Sequence, residues 1–390
     1  MKEAVIVDAC RTAFGKARPG GMFFNTRAED LSIAVVKALV ERNPRMDVKE
    51  IEDLRWGCSA AQHEQGSNLA RRLVLMSGLP HSVGGCTMIR YCASSLETIA
   101  SAAHAINFNA GEVFIAGGVE HQSVWDYEWF ENGHYPDFYK VCNCNPAMDN
   151  MGITAENILE MDKYSISRTD LDKFAMESQQ KACTAIEMGK FKEMIIPVNA
   201  QQTDGSFKLC DTDEGPRPDV TMEKMATLKP AFKKGGLVTA GNSCGLNDGA
   251  AGVLVMSMDK ANELGVKPGL RIVSTAIAGV NPEIMGIGPV PATQKALQRA
   301  GLSIDDIDLV EMNEAFAAQV LASCHDLGID TEKINRYGGA IAFGHPEGAS
   351  GARLVNFLFY QMKEDPELRY GLATMCVGQG QGAAIIVENL

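Results

Sequence analysis

Three short segments, far apart in the chain, each place a reactive side chain among small residues or glycines. They are Arg90-Tyr91-Cys92-Ala93-Ser94-Ser95, Gly344-His345-Pro346-Glu347-Gly348 and Cys376-Val377-Gly378-Gln379-Gly380-Gln381-Gly382. A cysteine, a histidine and a second cysteine supply a nucleophile, a base and a proton donor, the set that acyl transfer needs. Cys92 falls where a short strand candidate, Thr87 to Tyr91, turns into an apolar helix. Helix-start amides and the helix dipole are therefore expected to favour its thiolate. His345, fixed between a glycine and a proline, has an ordinary pKa of roughly 6.5 that suits taking a thiol proton near neutrality. Cys376 ends a strand before alternating glycines, whose bare amides fit an oxyanion hole. A phosphate-cradling loop fits less well there, because no helix with lysine and serine or threonine follows.

These segments need a scaffold that brings them together, and a faint internal repeat supplies one. Ala4 to Ala9 and Leu270 to Ala276 each open a half as a buried strand. Each is followed by a helix, an acidic turn, a strand and a turn into a second helix. Cys92 begins a helix carrying Leu96, Ile99, Ala103 and Ile106, and His345 precedes one carrying Leu354, Phe357 and Leu358. The strands Glu112 to Ala116 and Gly371 to Met375 then match. Alternating strands and helices imply βαβ units around a parallel sheet. The reactive loops are expected at the carboxyl ends of strands, where open α/β sheets hold ligands. Two halves packed about a pseudo-twofold axis would let Cys92 face His345 and Cys376.

Between the halves the pattern breaks from about residue 121 to 245. This stretch opens with Trp125, Tyr127, Trp129, Phe130, Tyr135, Phe138 and Tyr139, then carries a helix over about 169–189 and the turn-rich Asp211 to Pro218. It reads as an inserted, ligand-cradling subdomain. Between residues 217 and 234, Arg217, Lys224, Lys229, Lys233 and Lys234 stand against only Asp219 and Glu223, a local reversal of sign that also fits a solvated surface. The strand Ala250 to Met256 returns to the first half. The expected division is 1–120 plus 246–269, 121–245, and 270–390.

Composition narrows the class. The chain has 390 residues, 46% of them hydrophobic and 22% charged, enough for a large buried core. A formal net charge of −13 argues against nucleic acid and anionic membrane surfaces, although a local field can still hold a small anion. No apolar run approaches the roughly 18 residues of a membrane span, and the N-terminus enters a strand without a signal-peptide pattern; a cytoplasmic location is expected. The 11 cysteines are scattered and odd in number, which favours free thiols. Cys142 and Cys144 form the only close pair, and no metal site is expected.

Together these segments resemble the thiolases, the 3-ketoacyl-CoA and acetyl-CoA acyltransferases, along essentially the whole chain. Specific motifs are Asn313-Glu314-Ala315-Phe316, Gly338 to Pro346, the Cys376 run, Gly241 to Ala251 and Met151 to Asn157. The resemblance implies a five-layered α/β/α/β/α fold of duplicated βαβ halves, with a loop domain that cradles coenzyme A. It implies that Cys92 attacks the 3-keto carbonyl and that acetyl-CoA leaves as its enolate, protonated by Cys376. Cys376 then deprotonates incoming CoA, whose thiolate takes the acyl group from Cys92. His345 activates Cys92 and, with a water held by Asn313, forms one oxyanion hole; the amides of Cys92 and Gly378 form the other. Arg217 and Lys224 match positions near the CoA nucleotide, while Met151, Ala240, Cys244, Ala315 and Phe316 match substrate-binding positions along the pantetheine channel.

CoA is a substrate in this reading and no cofactor is implied. A homodimer or homotetramer is implied, with a hydratase/dehydrogenase subunit as a further partner in some degradative members. Met88-Ile89 stands where many thiolases have Val-Asn, Cys244 replaces a serine, and Gln379 replaces a glycine. Asn150 stands where short-chain biosynthetic members often carry histidine, which favours a degradative enzyme of fatty-acid or related metabolism. A biosynthetic acetoacetyl-CoA thiolase is the alternative, and a non-catalytic CoA-binding subunit is the reading from another class.

Overall fold

The computed structural model describes residues 2–126, 128 and 137–390. Tyr127, Trp129, Phe130 and Tyr135, expected to open the insertion, lie outside the described residues. The strands form one 11-stranded mixed sheet. From its centre, one side runs Ala4–Thr12, Asn247–Ser257, Val113–His121, Asp53–Gly57 and Gly84–Met88. The other side runs Leu270–Gly279, Gln381–Asn389, Tyr370–Val377 and Leu309–Met312. With Gly84–Met88 set aside as an extra edge strand, both sides follow one rule: first strand in the chain, last, third, second. The two opening strands meet antiparallel, with Val5 beside Arg271. The sheet is thus the internal repeat written in hydrogen bonds.

Two helices lie between the halves. Helix Glu347–Glu364 packs on Asn247–Ser257 and Val113–His121 of one half and on Tyr370–Val377 and Leu309–Met312 of the other. Every residue from Gly348 to Met362 is buried, as a helix covered on all sides requires. Its companion, Ser94–Asn107, contacts both halves too. Gly351 makes their crossing close, since a Cβ there would sit 2.6 Å from the Leu96 amide nitrogen. Ala28–Glu41 and Pro289–Ala300 cover the outer faces of the two half-sheets, which completes an α/β/α/β/α stack.

The insertion has structure of its own. It carries helices Met151–Leu159 and Arg168–Glu187, the second capped by Ser167 and Asp170 in a reciprocal box, and a hairpin of Val198–Gln201 with Phe207–Cys210. One buried pair fastens it to the core. Arg11 donates Nη1 and Nη2 to the two Asp213 oxygens at 2.7 and 2.8 Å, with both side chains wholly inaccessible. The rings of Phe14, Phe191, Phe343 and Phe357 surround that guanidinium. Among the described residues, no helix is long and apolar enough to cross a membrane.

Candidate active site

The chain leaves the edge strand at Met88 and turns sharply before Cys92. Tyr91 is held at φ 44°, a left-handed conformation that a bulky residue adopts only when its surroundings enforce it. Local hydrogen bonds enforce it. Ser94 Oγ accepts from the Arg90 amide at 2.9 Å and donates to the Tyr91 carbonyl at 2.7 Å. Arg90 donates to Glu97 and, across the half boundary, to Gln381 Oε1, both at 2.9 Å. Tyr91 donates its hydroxyl to Gln379 Oε1 at 3.0 Å. The Cys92 turn of one half is therefore pinned to the glycine loop of the other. Gln379, where a glycine was expected, adopts φ 59° and accepts one of these pins. Ile89 is 54% exposed and takes no part in the site, so the loop is held from Arg90 and Ser94 instead.

Cys92 is 8% exposed in a short turn, Tyr91–Ala93, and the α-helix begins at Ser94. The groups whose charge or hydrogen bonding bears on its thiol are Glu347, Cys376, the Gly378 amide and Cys244. The helix-start expectation of a lowered thiol pKa is corrected here. Burial pushes it well up, Glu347 and Cys376 add to that, and the Gly378 amide opposes them only in part. Cys376, fully buried at the end of strand Tyr370–Val377, is pushed up to about 12, chiefly by burial.

Asn313 follows strand Leu309–Met312 directly. His345 differs from the expected placement: it follows the helical turn Ala340–Phe343 rather than a strand and precedes helix Glu347–Glu364. Gly344 makes the bend at φ 92°, and any Cβ there would overlap the Asn247 side chain. Both imidazole nitrogens are engaged. Ser350 Oγ donates to the Pro346 carbonyl at 2.9 Å, so it accepts from His345 Nδ1–H at 2.6 Å. That leaves Nε2 with a lone pair, which faces the Asn313 amide nitrogen at 3.3 Å. Arg353 Nη2 donates to Asn313 Oδ1 at 3.1 Å and so fixes which end of the amide meets the imidazole. Burial, then the charge of Arg353, lowers the His345 pKa to about 3.

Ser350, Arg353, Glu347, Ser59 and Gln122 are site residues that the sequence reading missed. Arg353 was visible as a charge within an otherwise apolar helix, and Glu347 as a carboxylate inside the histidine motif itself. Glu347 Oε2 accepts from Ser59 Oγ at 2.6 Å, and Gln122 Nε2 lies 3.5 Å from its other oxygen. Glu120 is buried nearby and accepts from the Ser59 and Gly348 amides at 2.7 and 2.8 Å. Burial and then Glu347 raise its pKa to about 7.

The expected substrate positions divide into two groups. Met151, Cys244, Ala315 and Phe316 join one apolar cluster with Cys376, and the Cys244 amide donates to the Ala315 carbonyl at 3.0 Å. Phe316 packs edge-on against the half-exposed Phe232, which also covers Gly152. Asn150 caps helix Met151–Leu159 by accepting from the Ile153 amide at 3.3 Å. Ala240, Arg217 and Lys224 are exposed at the surface. Lys224 is occupied by Asp219 at 2.6 Å.

Residues 4–259 match the model of the thiolase N-terminal domain and residues 266–389 that of the thiolase C-terminal domain. A 3-ketoacyl-CoA thiolase of Idiomarina loihiensis is 47% identical over 401 residues, covering 100% of both chains. One from Photobacterium profundum is 46% identical with the same coverage. Among solved structures, the acetyl-CoA acetyltransferase of Bacillus anthracis aligns with TM-score 0.89 and 38% identity over 100% of this chain and 99% of its own. Human mitochondrial 3-ketoacyl-CoA thiolase gives TM-score 0.89 and 34% identity over the same shares. The chain belongs to the thiolase family.

Proposed function

We propose that this chain is an acetyl-CoA C-acyltransferase that cleaves 3-ketoacyl-CoA with CoA, releasing acetyl-CoA and a shortened acyl-CoA in fatty-acid or related degradation. The observation that carries this reading is the convergence of Cys92, Cys376 and the Gly378 amide from opposite halves in one buried space. Cys92 is the nucleophile and holds the acyl group. The Cys92 and Gly378 amides stabilise the oxyanion on the acyl carbon. Cys376, whose thiol keeps its proton at neutral pH, protonates the departing enolate and then takes the proton of incoming CoA. Asn313 Nδ2 carries two hydrogens; one meets His345, and the other serves the thioester oxygen of the enolate directly or through water. His345 activates Cys92, as the family resemblance implies, and its Nε2 meets Asn313. Met151, Cys244, Ala315 and Phe316 form the route for the pantetheine arm, with Ala240 at its surface end. Arg217 and the neighbouring lysines face the nucleotide, and the insertion over 121–245 serves as the CoA cradle.

A soluble cytoplasmic enzyme, assembled as a homodimer or homotetramer, fits the acidic chain and its free cysteines. The experiment is to measure thiolysis on 3-ketoacyl-CoA from acetoacetyl-CoA to long chains, beside condensation of acetyl-CoA. Thiolysis that extends beyond the four-carbon substrate supports the degradative reading. Activity confined to acetoacetyl-CoA, with efficient condensation, favours the biosynthetic alternative. No thiolysis at any length overturns both.

A further inference from the structure

The two amides assigned to the acyl oxyanion come from loops that meet only across the boundary between the halves. Each is flanked by a residue in a left-handed conformation. Tyr91 precedes Cys92 at φ 44°, and Gln379 follows Gly378 at φ 59°. Neither has the freedom of glycine, so each holds that conformation at a cost its surroundings must offset. Their side chains meet: the Tyr91 hydroxyl donates to Gln379 Oε1 at 3.0 Å. The tyrosine ring also lies against the glycine itself, since a Cβ on Gly378 would fall 3.6 Å from Tyr91 Cγ and 3.7 Å from Cδ2. One side chain thus touches Gly378 through its ring and Gln379 through its hydroxyl.

The residues one step further out repeat the arrangement. Arg90 Nη1 donates to Gln381 Oε1 at 2.9 Å, and Gln381 Nε2 lies 3.5 Å from the Gly378 carbonyl. The two residues before Cys92 therefore reach the two glutamines after Gly378. Gly380 turns the chain between those glutamines at φ 81°, and a Cβ there would fall 2.4 Å from the Val280 carbonyl, so the loop is backed closely on its far side. The remaining bonds of the Cys92 turn, to Ser94 and Glu97, stay within its own half. They shape the turn but cannot set its distance from Gly378. Arg90 is shared with Glu97, which leaves the tyrosine–glutamine bond as the more direct link between the two loops.

We propose that Tyr91 and Gln379 are positioning residues for acyl transfer: the hydrogen bond between them sets the spacing of the Cys92 and Gly378 amides that hold the oxyanion. This rests on the thiolase reading above, which supplies that oxyanion. Negative charge develops on one carbonyl oxygen, and donors from both halves must reach it together; donors already in place need no reorganisation at that moment. Misplacement by about 1 Å is enough to cost roughly 10²-fold in rate. A bond that limits the gap between the loops therefore acts on the chemical step rather than on affinity for the substrate. A glycine at 379, the residue expected there, would relax the backbone but leave the Tyr91 hydroxyl without this acceptor. What the amide of Gln379 holds accounts for its strained conformation.

The test uses Tyr91→Phe and Gln379→Gly, made singly and together in the full chain. Phenylalanine keeps the ring against Gly378 and removes only the hydroxyl. Glycine removes the acceptor from the opposite half and relieves the backbone, so the two variants perturb folding in different ways. Two rates are followed at Cys92 by rapid quenching and peptide mass spectrometry. One is acetylation by acetoacetyl-CoA without free CoA; the other is alkylation by iodoacetamide, a displacement that forms no oxyanion. Each single variant should acetylate about tenfold more slowly, a part of the roughly 10²–10³ lost with a whole oxyanion donor. Half-saturation by acetoacetyl-CoA and the alkylation rate should both stay within about twofold of wild type. The double variant should be no slower than the slower single, because both substitutions remove the same bond. Acetylation within about threefold of wild type in Tyr91→Phe would overturn the proposal. So would losses that multiply in the double variant, or alkylation that falls by the same factor as acetylation, because the bond would then act on the thiol or the fold. If one single variant fails to fold, the other decides by the same two rates. Wild-type enzyme that forms no Cys92 adduct with acetoacetyl-CoA would sink the thiolase reading itself, whereas wild-type acetylation rates in the variants would sink only the role of this pair.

Discussion

Asn313 sits between two partners that ask different things of it, and two substitutions separate them. Its amide nitrogen faces His345 Nε2 at 3.3 Å, while its oxygen accepts from Arg353 at 3.1 Å. Arg353 is wholly buried, and its Nε and Nη1 already lack partners among the described residues. Asn313→Ala removes both contacts. Stability should fall by about 1–3 kcal/mol for the stranded donor, and kcat should fall by about 10²–10³ for the lost oxyanion donor. Asn313→Asp keeps an acceptor for Arg353 but loses the amide hydrogens. It should unfold close to wild type, or above it, while losing activity by the same factor. Urea denaturation and steady-state thiolysis of acetoacetyl-CoA read the two quantities independently. An Asn313→Asp enzyme within about threefold of wild-type kcat would refute the assignment. Equal destabilisation in both variants would refute the account of Arg353.

Other parts of the structure give further expected outcomes. Asp213→Ala leaves the Arg11 guanidinium buried among four aromatic rings without a counter-ion; stability should drop by about 3–5 kcal/mol in chemical denaturation, far more than for an exposed pair. Glu311 is fully buried and raised to about 8, chiefly by burial. A carboxyl with a raised folded pKa stabilises most at low pH and loses that contribution as pH climbs through the folded value. Unfolding free energy should therefore decline between about pH 5 and pH 8, and Glu311→Gln should flatten that decline; an unchanged slope would contradict it. Gly351→Val places bulk where only 2.6 Å separates a Cβ from the Leu96 amide, and should cost well over 1 kcal/mol by denaturation while also lowering kcat through the displaced catalytic turn.

Much of the scaffold was legible because duplication leaves a period. The opening strands, the helices behind Cys92 and His345, and the return strand all showed in hydrophobic runs bounded by turns. The helix expected over about 169–189 is Arg168–Glu187. The strand expected through Tyr91 instead ends at Met88, because a left-handed tyrosine and a serine hydroxyl shape that turn, and neither leaves a period. Cys92, His345, Cys376 and Asn313 were readable from residue type and motif. The sign of the Cys92 shift was not: it depends on a carboxylate 255 positions along the chain and on burial, both of which exist only after folding. The two nitrogens of His345 were equally hidden, since their partners are set by how Ser350 and Arg353 project from a helix.

The central claim is that Cys92 carries the acyl group. The direct measurement is rapid quenching of the enzyme with acetoacetyl-CoA in the absence of free CoA, followed by peptide mass spectrometry. The account predicts one acetyl group on the peptide containing Cys92, discharged on adding CoA and absent in Cys92→Ser. An acetyl group on Cys376 or Cys244 instead, or turnover with no trapped thioester at all, would contradict it.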